Sequence, residues 1–207
     1  MKMYLSSYGL GSDTDELLKM LPENRKLGYI FNALDFTGAD EKRKAKQVRR
    51  DIDELSRFGF DCFDLDLKEY FGKARQLQTL IDGLGAIWVS GGNVFVLRQA
   101  FKLSGFDKIL LSLNEKPDFL YGAYSAGVCV LSPSLNGYHL VIDPSDTPFR
   151  GLEEALWDGL GVIDYTFLPH FESGHPSSAT MNEVLKYCKE KKLSYKTARD
   201  GEVIIYR

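Results

Sequence analysis

The sequence predicts an α/β fold in which a mostly parallel sheet carries helices on both faces. Short apolar runs alternate with longer segments whose apolar residues recur every three or four positions, as expected for strands alternating with amphipathic helices. The runs at 27–34 and 85–90 are almost continuously apolar, which is typical of parallel strands covered on both faces. The 207 residues contain no internal repeat, low-complexity stretch or linker, so we expect one domain spanning 1–207.

The first half of the chain alternates regularly between predicted strands and helices. The helix at 40–57 is the clearest, because its apolar residues recur at helical steps and its other faces are charged. Its basic run at 41–50 is followed by acidic residues, so we interpret this stretch as a solvated face. The segment at 60–67 alternates apolar and acidic residues, which favours a strand near the sheet edge. In order, the predicted elements are a strand at 3–8, a short helix from Ser12, a strand at 27–34, a helix at 40–57, a strand at 60–67, a helix at 68–82 and a strand at 85–90.

The second half begins in the same way and then becomes less regular. Three prolines within 132–150 interrupt any long element, and only 138–142 has a strand-like pattern there. An Asp-Gly pair near the end of the chain predicts a turn between two short strands. In order, we predict a helix from Val94, a helix at 106–114, a strand at 119–124, a helix reaching Leu131, a strand at 138–142, a short helical turn at 152–160, a strand ending at His170, a helix at 178–192 and strands at 193–198 and 202–206.

Composition excludes several classes of function. The chain is 44% apolar and 27% charged with a net charge of −3, and it has no dense basic patch, so nucleic acid is not an expected partner. No apolar run approaches the roughly 20 residues that a membrane-spanning helix needs. The N-terminal residues lack the apolar core of a signal peptide, and the three cysteines are scattered. We therefore expect a cytoplasmic protein with no membrane partner, no disulfide framework, no zinc site and no other cofactor.

A candidate nucleophile lies between a strand and a helix. Ser125 follows the apolar strand at 119–124 and precedes the small residues Ala126 and Gly127. A strand-to-helix turn exposes a hydroxyl beside the free N–H groups of the helix start, as in the G-x-S-x-G nucleophile elbow. Ala123 stands here at the position of the first glycine. The alternative is an ordinary junction in which Ser125 caps the helix.

A serine nucleophile needs a base and an acid that orients the base. The chain has three histidines, and His170 is favoured over His175 and His139 because it ends an apolar strand and should lie on the same edge of the sheet as Ser125. Asp200, in the turn between the last two strands, is the favoured acid. The alternatives are Glu172, Asp164 and Asp143, and Asp200 is also explained as part of a hairpin turn.

The segment Ser90-Gly91-Gly92-Asn93 ends another predicted strand, and it has two interpretations. It could cradle a phosphate at a helix start, although the chain has neither G-x-G-x-x-G nor G-x-x-x-x-G-K-[ST]. It could instead form an oxyanion hole in which the amides of Gly92 and Ala126 donate to one carbonyl oxygen. Glycine suits that role because the backbone must approach the substrate closely.

Taken together, these segments resemble the peptidase E family of cytoplasmic serine peptidases, which includes aspartyl dipeptidases and is related to cyanophycinases. The resemblance rests on strand–Gly-Gly-Asn–helix, strand–Ser-Ala-Gly–helix and Pro-His-Phe in this order. It implies that Ser125 is the nucleophile, His170 the base and Asp200 the acid, with Gly92 and Ala126 forming the oxyanion hole. The implied fold is a three-layer α/β/α sandwich, flavodoxin-like and related to class I glutamine amidotransferases.

The resemblance further implies a serine-type dipeptidase that acts on short peptides through an acyl-enzyme, as a monomer or homodimer. Asn93 and Asp143 are then expected to lie next to bound substrate. The stretch 174–181 has no arginine, whereas aspartyl dipeptidases carry one on the helix after the histidine to bind the substrate's aspartate. Two alternatives are a small esterase or amidase that uses the same residues, and a catalytically silent binding protein on this fold.

Overall fold

The computed structural model describes all 207 residues. It contains a six-stranded sheet, a separate two-stranded sheet and seven α-helices. In chain order the elements are β1 (Lys2–Ser6), α1 (Thr14–Met20), β2 (Lys26–Ile30), α2 (Glu41–Arg57), β3 (Asp61–Leu65), α3 (Ala74–Asp82), β4 (Ala86–Val89), α4 (Val94–Ser104), α5 (Phe106–Ser112), β5 (Leu120–Tyr124), α6 (Ala126–Cys129), β6 (Thr166–Leu168), α7 (Ser178–Glu190), β7 (Tyr195–Thr197) and β8 (Val203–Tyr206).

The large sheet has the strand order β3-β2-β4-β5-β1-β8. Every neighbouring pair is parallel except β1 and β8, which are antiparallel. The edge position predicted for the strand at 60–67 is confirmed, because β3 occupies one edge of this sheet. The two strands of the small sheet, β6 and β7, pair in parallel.

Alternate residues of each central strand point to opposite faces of the sheet, and both faces are covered by helices. On β5, Leu120 and Tyr124 pack with helices α1 and α2, whereas Tyr121 and Ala123 pack on the side of α3, α4 and α5. On β4, Trp88 and Ile87 divide in the same way. Burial on both faces explains the continuous apolar runs, and it confirms the predicted α/β sandwich with a mostly parallel sheet.

Strands β4, β5 and β1 are neighbours, so the segments that follow them meet at one edge of the sheet. Gly91 and Gly92 follow β4, Ser125 follows β5 and Ser7 follows β1. In parallel sheets, sites form beyond the carboxyl ends of the strands. The topology therefore brings together segments that lie far apart in the sequence.

Two predicted elements in the irregular segment are wrong. Residues 138–142 form no strand; Tyr138–Leu140 is a single 3-10 turn whose buried tyrosine hydroxyl donates to the Phe167 carbonyl at 2.7 Å. Residues 152–160 form no helical turn; Arg98 binds the Asp158 carbonyl and carboxylate at 2.9 and 2.8 Å, and Asp158 forms an isolated β-bridge with Ser134. In both cases a long-range side-chain contact overrides the local pattern.

The hairpin interpretation of Asp200 is also wrong. The strands on either side of it belong to different sheets, since β7 pairs with β6 and β8 pairs with β1. Asp200 therefore lies in the connection that carries the chain from the small sheet to the large one. This connection reaches the edge where β1 ends.

Candidate active site

Ser125 lies at a strained turn between β5 and α6. Its backbone has φ 49° and ψ −114°, a conformation that costs energy for a residue with a side chain. The carbonyl of Ser125 accepts the first helical hydrogen bonds, from the amides of Val128 and Cys129, both at 2.9 Å. Its side chain caps no helix amide, so the structure does not support a capping role. The hydroxyl is left available for chemistry.

Ala123 and Gly127, the small residues that flank the elbow, are subject to different structural requirements. Ala123 is an ordinary buried residue of β5 that pairs with Leu5 and Val89, so no positive φ requires a glycine there. A Cβ at Gly127, by contrast, would lie 2.6 Å from the Val89 carbonyl oxygen. The second glycine of the elbow is needed for close packing of α6 on β4, and the first is not.

His170 is within hydrogen-bond distance of Ser125. Its Nε2 lies 3.0 Å from Ser125 Oγ. The residue is buried and has a left-handed backbone, with φ 60°. Its amide donates to Ser7 Oγ at 2.8 Å, which ties this unusual conformation to the segment that follows β1.

Asp200 completes a line of three polar side chains. Its Oδ1 lies 2.7 Å from His170 Nδ1 and 3.0 Å from Ser7 Oγ, which donates to it. The Asp200 amide in turn donates to Ser173 Oγ at 2.7 Å. With Nδ1–H donating to the carboxylate, Nε2 is free to accept a proton from Ser125.

The pKa of His170 lies below its ordinary value of 6.5, mainly because burial disfavours the charged ring. The hydrogen bond to Asp200 acts in the opposite direction, and the neighbouring His175 adds to the lowering. The two imidazole rings are stacked, with centroids 3.8 Å apart and planes inclined by 13°. His170 is therefore neutral at pH 7, as a general base must be.

The two predicted oxyanion donors, Gly92 and Ala126, both border the cavity at Ser125. The amides of Gly92 and Ala126 donate no hydrogen bond to any other protein group. Gly92 has φ 142°, and a Cβ at this position would lie 2.3 Å from the Ala33 carbonyl oxygen, so only glycine fits. Gly92 is exposed and borders the same cavity as Ser125.

The remaining predicted residues lie apart from this line. The Asn93 side chain caps α4 by accepting from the amides of Phe95 and Val96 at 2.9 and 3.2 Å. Asn93 and Asp143 both border a second, shallower cavity of about 560 Å³, not the one at Ser125. Contact of these two residues with substrate stays a prediction.

The alternative acids and bases do not join the line either. Glu172 pairs with Arg199, Asp164 is exposed, and Asp143 accepts from Ser145. Of the other histidines, His139 stacks edge-on against Trp157, and its ring is not part of the cavity at Ser125. Asp200 is thus the acid that the fold brings to His170.

A cavity of about 410 Å³ opens above Ser125. Hydrophobic side chains form about half of its lining, and no aspartate or glutamate belongs to it. Two side chains of α2 enter it from one side, Arg43 and Gln47, and Gln47 Nε2 donates to the Tyr124 hydroxyl at 2.9 Å. Arg43 is exposed, as the interpretation of the basic run as a solvated face expects, and it also borders this cavity.

Sequence reasoning missed three residues of the site. Ser7 could have been found from its place after β1, which ends at the same edge as β4 and β5. His175 was considered only as a rival base, because stacking on His170 depends on the loop between them. Arg43 belongs to a charged run in which no pattern distinguishes the member that faces a cavity.

No group of three or more histidine, cysteine, aspartate or glutamate side chains is placed to hold a metal ion. None of the helices combines the length and apolar character that crossing a membrane requires.

Comparison with known proteins places this chain in a family. Residues 13–207 match the model of peptidase family S51. Uncharacterized peptidases from Listeria innocua and Listeria monocytogenes are 32% identical over 107 residues and 31% identical over 101 residues, respectively. These matches cover 52% and 49% of this chain but 49% and 47% of those proteins, so the chain spans about half the length of the curated relatives it matches.

Solved structures share the fold. A crystal structure of a candidate peptidase E protein from Listeria monocytogenes EGD-e has a TM-score of 0.72 at 21% identity, covering 100% of this chain and 98% of that one. A peptidase from an acI-B1 Actinobacterium has a TM-score of 0.66 at 15% identity, covering 100% of this chain and 83% of that one. These two structures show the fold; the family match over residues 13–207 confirms the predicted resemblance and shows that the chain belongs to peptidase family S51.

Proposed function

We propose that this protein is a serine peptidase that hydrolyses short peptides through a Ser125–His170–Asp200 triad and an acyl-enzyme. The observation that carries the proposal is the continuous line of hydrogen bonds, 3.0 Å from Ser125 Oγ to His170 Nε2 and 2.7 Å from His170 Nδ1 to Asp200 Oδ1. A catalytically silent binding protein would not need this arrangement, nor a strained serine at the end of a strand.

In the proposed reaction, His170 Nε2 takes the proton of Ser125 as Oγ attacks the scissile carbonyl carbon. The amides of Gly92 and Ala126 stabilise the oxyanion, and each such donor contributes about 3–4 kcal/mol to the transition state. His170 then gives its proton to the leaving amine, and water hydrolyses the acyl-enzyme with His170 again as base. Asp200 keeps the ring in the correct tautomer and stabilises the imidazolium.

The charges of the cavity suggest which peptides enter it. Arg43 is in the first turn of α2, where the helix dipole disfavours a cation. Its neighbours Lys44 and Arg50 pair with Asp35 and Asp51, whereas Arg43 makes no ion pair. With one arginine and no carboxylate in the lining, the cavity favours substrates that carry a carboxylate close to the scissile bond. Arg43 thus offers a charge that the stretch 174–181 lacks.

The test is a screen of dipeptides and p-nitrophenyl esters with wild type and Ser125→Ala. We expect hydrolysis of a subset of dipeptides by wild type and a loss of roughly 10⁴-fold or more in Ser125→Ala. Turnover of esters alone would favour an esterase. Equal hydrolysis by the two proteins would contradict the proposed mechanism.

The role of Arg43 is tested separately with Arg43→Gln. We expect KM to rise about tenfold for peptides with a carboxylate beside the scissile bond, and to change little for the matching amides. Lys42→Gln is the matched control, because Lys42 is equally exposed in the same turn and does not line the cavity.

A further inference from the structure

A buried carboxylate lies beneath the elbow and takes no part in the proposed reaction. Asp51, on α2, is 5% exposed. Its Oδ2 accepts from the hydroxyls of Tyr29 at 2.5 Å and Tyr124 at 2.7 Å, and its Oδ1 accepts from Arg50 Nε at 2.9 Å and Nη2 at 2.7 Å. Four hydrogen bonds thus converge on this carboxylate between α2 and the sheet.

Both tyrosines are protonated donors in this cluster. Burial raises the pKa of Tyr29 and of Tyr124, and the negative charge of Asp51 raises both further. The carboxylate oxygen can only accept, so the direction of each bond is fixed. The cluster therefore has a single arrangement of donors and acceptors.

Stability alone does not explain such a cluster. Replacing a buried ionic group by well-packed apolar residues is often neutral or stabilising, because taking the charge out of water is costly. What a fully satisfied polar cluster does supply is a fixed geometry. The relevant question is which part of the molecule needs that geometry.

The residue that the cluster fixes most directly is Tyr124, which immediately precedes Ser125. Its hydroxyl is held from two positions on α2, by Asp51 at 2.7 Å and by Gln47 at 2.9 Å. The peptide that joins these two residues forms one end of the strained φ torsion of Ser125, which is 49°. Holding the far end of the Tyr124 side chain limits the movement of that peptide and so helps to fix the position of the Ser125 hydroxyl.

We infer that Asp51 is a positioning residue for the nucleophile, acting through the Tyr124 hydroxyl to hold the elbow in its strained conformation. This inference rests on the proposed function, in which Ser125 is the nucleophile. It assigns two roles to α2. Arg43 borders the cavity, and Asp51, about two helical turns further along, lies below the elbow. Misplacing a reacting atom by about 1 Å can cost about 100-fold in rate.

The structure offers a matched control for this inference. Tyr29 and Tyr124 are both buried, and both donate to the same oxygen of Asp51. Tyr29 is in β2, separated from β5 by β4, and it does not line the cavity at Ser125. Tyr29→Phe and Tyr124→Phe each remove a hydroxyl from Asp51, but only the second releases the elbow.

The experiment measures kcat, KM, the rate of Ser125 labelling by a fluorophosphonate, and the urea unfolding midpoint for both variants and for Asp51→Asn. All three should lower the midpoint. We expect Tyr124→Phe and Asp51→Asn to lower kcat and the labelling rate about tenfold or more with KM within about twofold of wild type. Tyr29→Phe should stay within about twofold of wild type in every kinetic value.

Equal kinetic values for Tyr29→Phe and Tyr124→Phe, or a change of the midpoint alone in Tyr124→Phe, would overturn the inference and leave the proposed function intact. The comparison of the two tyrosine variants decides the matter even where Asp51→Asn does not fold. A wild type that neither reacts with the fluorophosphonate nor hydrolyses any peptide would overturn the proposed function, and this inference with it.

Discussion

The two halves of the proposed catalytic line are held in different ways. Ser125 follows β5, a central strand of the six-stranded sheet, and the buried Asp51 cluster lies directly beneath it. His170 and Asp200 follow β6 and β7, strands of three residues each in the small sheet. The Asp200 side chain is 28% exposed. Strand β6 packs into the same apolar core as the large sheet, and the hydroxyl of Ser7 links His170 and Asp200 to the end of β1.

Because of this difference, we expect substitutions in the two halves to affect stability and catalytic rate in different proportions. The position of the nucleophile depends on the packing of the main sheet, so changes beneath it should affect both stability and rate. The position of Asp200 depends on a small number of polar contacts at a partly exposed site, so changes there should affect rate with little loss of stability. Three variants on the side of the base test this contrast.

The largest expected effect is that of Asp200→Asn. Asparagine is neutral, so it no longer stabilises the imidazolium, and its amide N–H can donate to Nδ1 and favour the wrong tautomer; we therefore expect kcat to fall about 10²- to 10⁴-fold while the unfolding midpoint hardly changes. Steady-state kinetics on the best dipeptide measures this. The matched controls are Asp164→Asn and Glu172→Gln, two of the three alternative acids that the sequence allowed. A kcat for Asp200→Asn within twofold of wild type would remove Asp200 from the line.

Ser7→Ala should have a smaller effect on rate, and it should also lower stability. The hydroxyl of Ser7 accepts from the His170 amide and donates to Asp200, so its loss should lower kcat about tenfold and the free energy of unfolding by about 1 kcal/mol. Ser6→Ala is the control, because Ser6 is equally buried and its hydroxyl donates only to the Tyr8 carbonyl. Identical kinetics for the two variants would show that the Ser7 hydroxyl is not needed to position His170 and Asp200.

The smallest expected effect is a shift of the pH profile in His175→Phe. Burial lowers the pKa of His170, and the neighbouring His175 lowers it further. The base acts when unprotonated, so the acid limb of kcat/KM in wild type should have its midpoint below 6.5. Phenylalanine keeps a ring against His170 but cannot carry charge, so the pKa of His170 should rise and the limb should move to higher pH.

The control for this pH profile is His139→Phe. His139, like His175, accepts an amide hydrogen two residues away through Nδ1, but it lies away from the line. Equal profiles for wild type and His175→Phe would show that the stacked ring does not influence the base.

The sequence alone predicted the parts of the site that depend on strand order. Ser125 and Gly92 each end a buried strand, and parallel strands bring their carboxyl ends together. Asp200 was harder to identify because its position depends on β7 and β8 joining different sheets, which no local pattern reveals. The Asp51 cluster escaped prediction for a related reason, since helical periodicity shows which face of α2 is buried but not which strand residues it meets.

The central claim, that Ser125 is a nucleophile activated by His170, is tested most directly by reacting the protein with a fluorophosphonate and locating the adduct by mass spectrometry. We predict one adduct per chain, on Ser125, that forms in wild type, forms much more slowly in His170→Ala and is absent from Ser125→Ala. An unmodified wild-type protein, an adduct on another residue, or equal labelling of wild type and His170→Ala would contradict the claim.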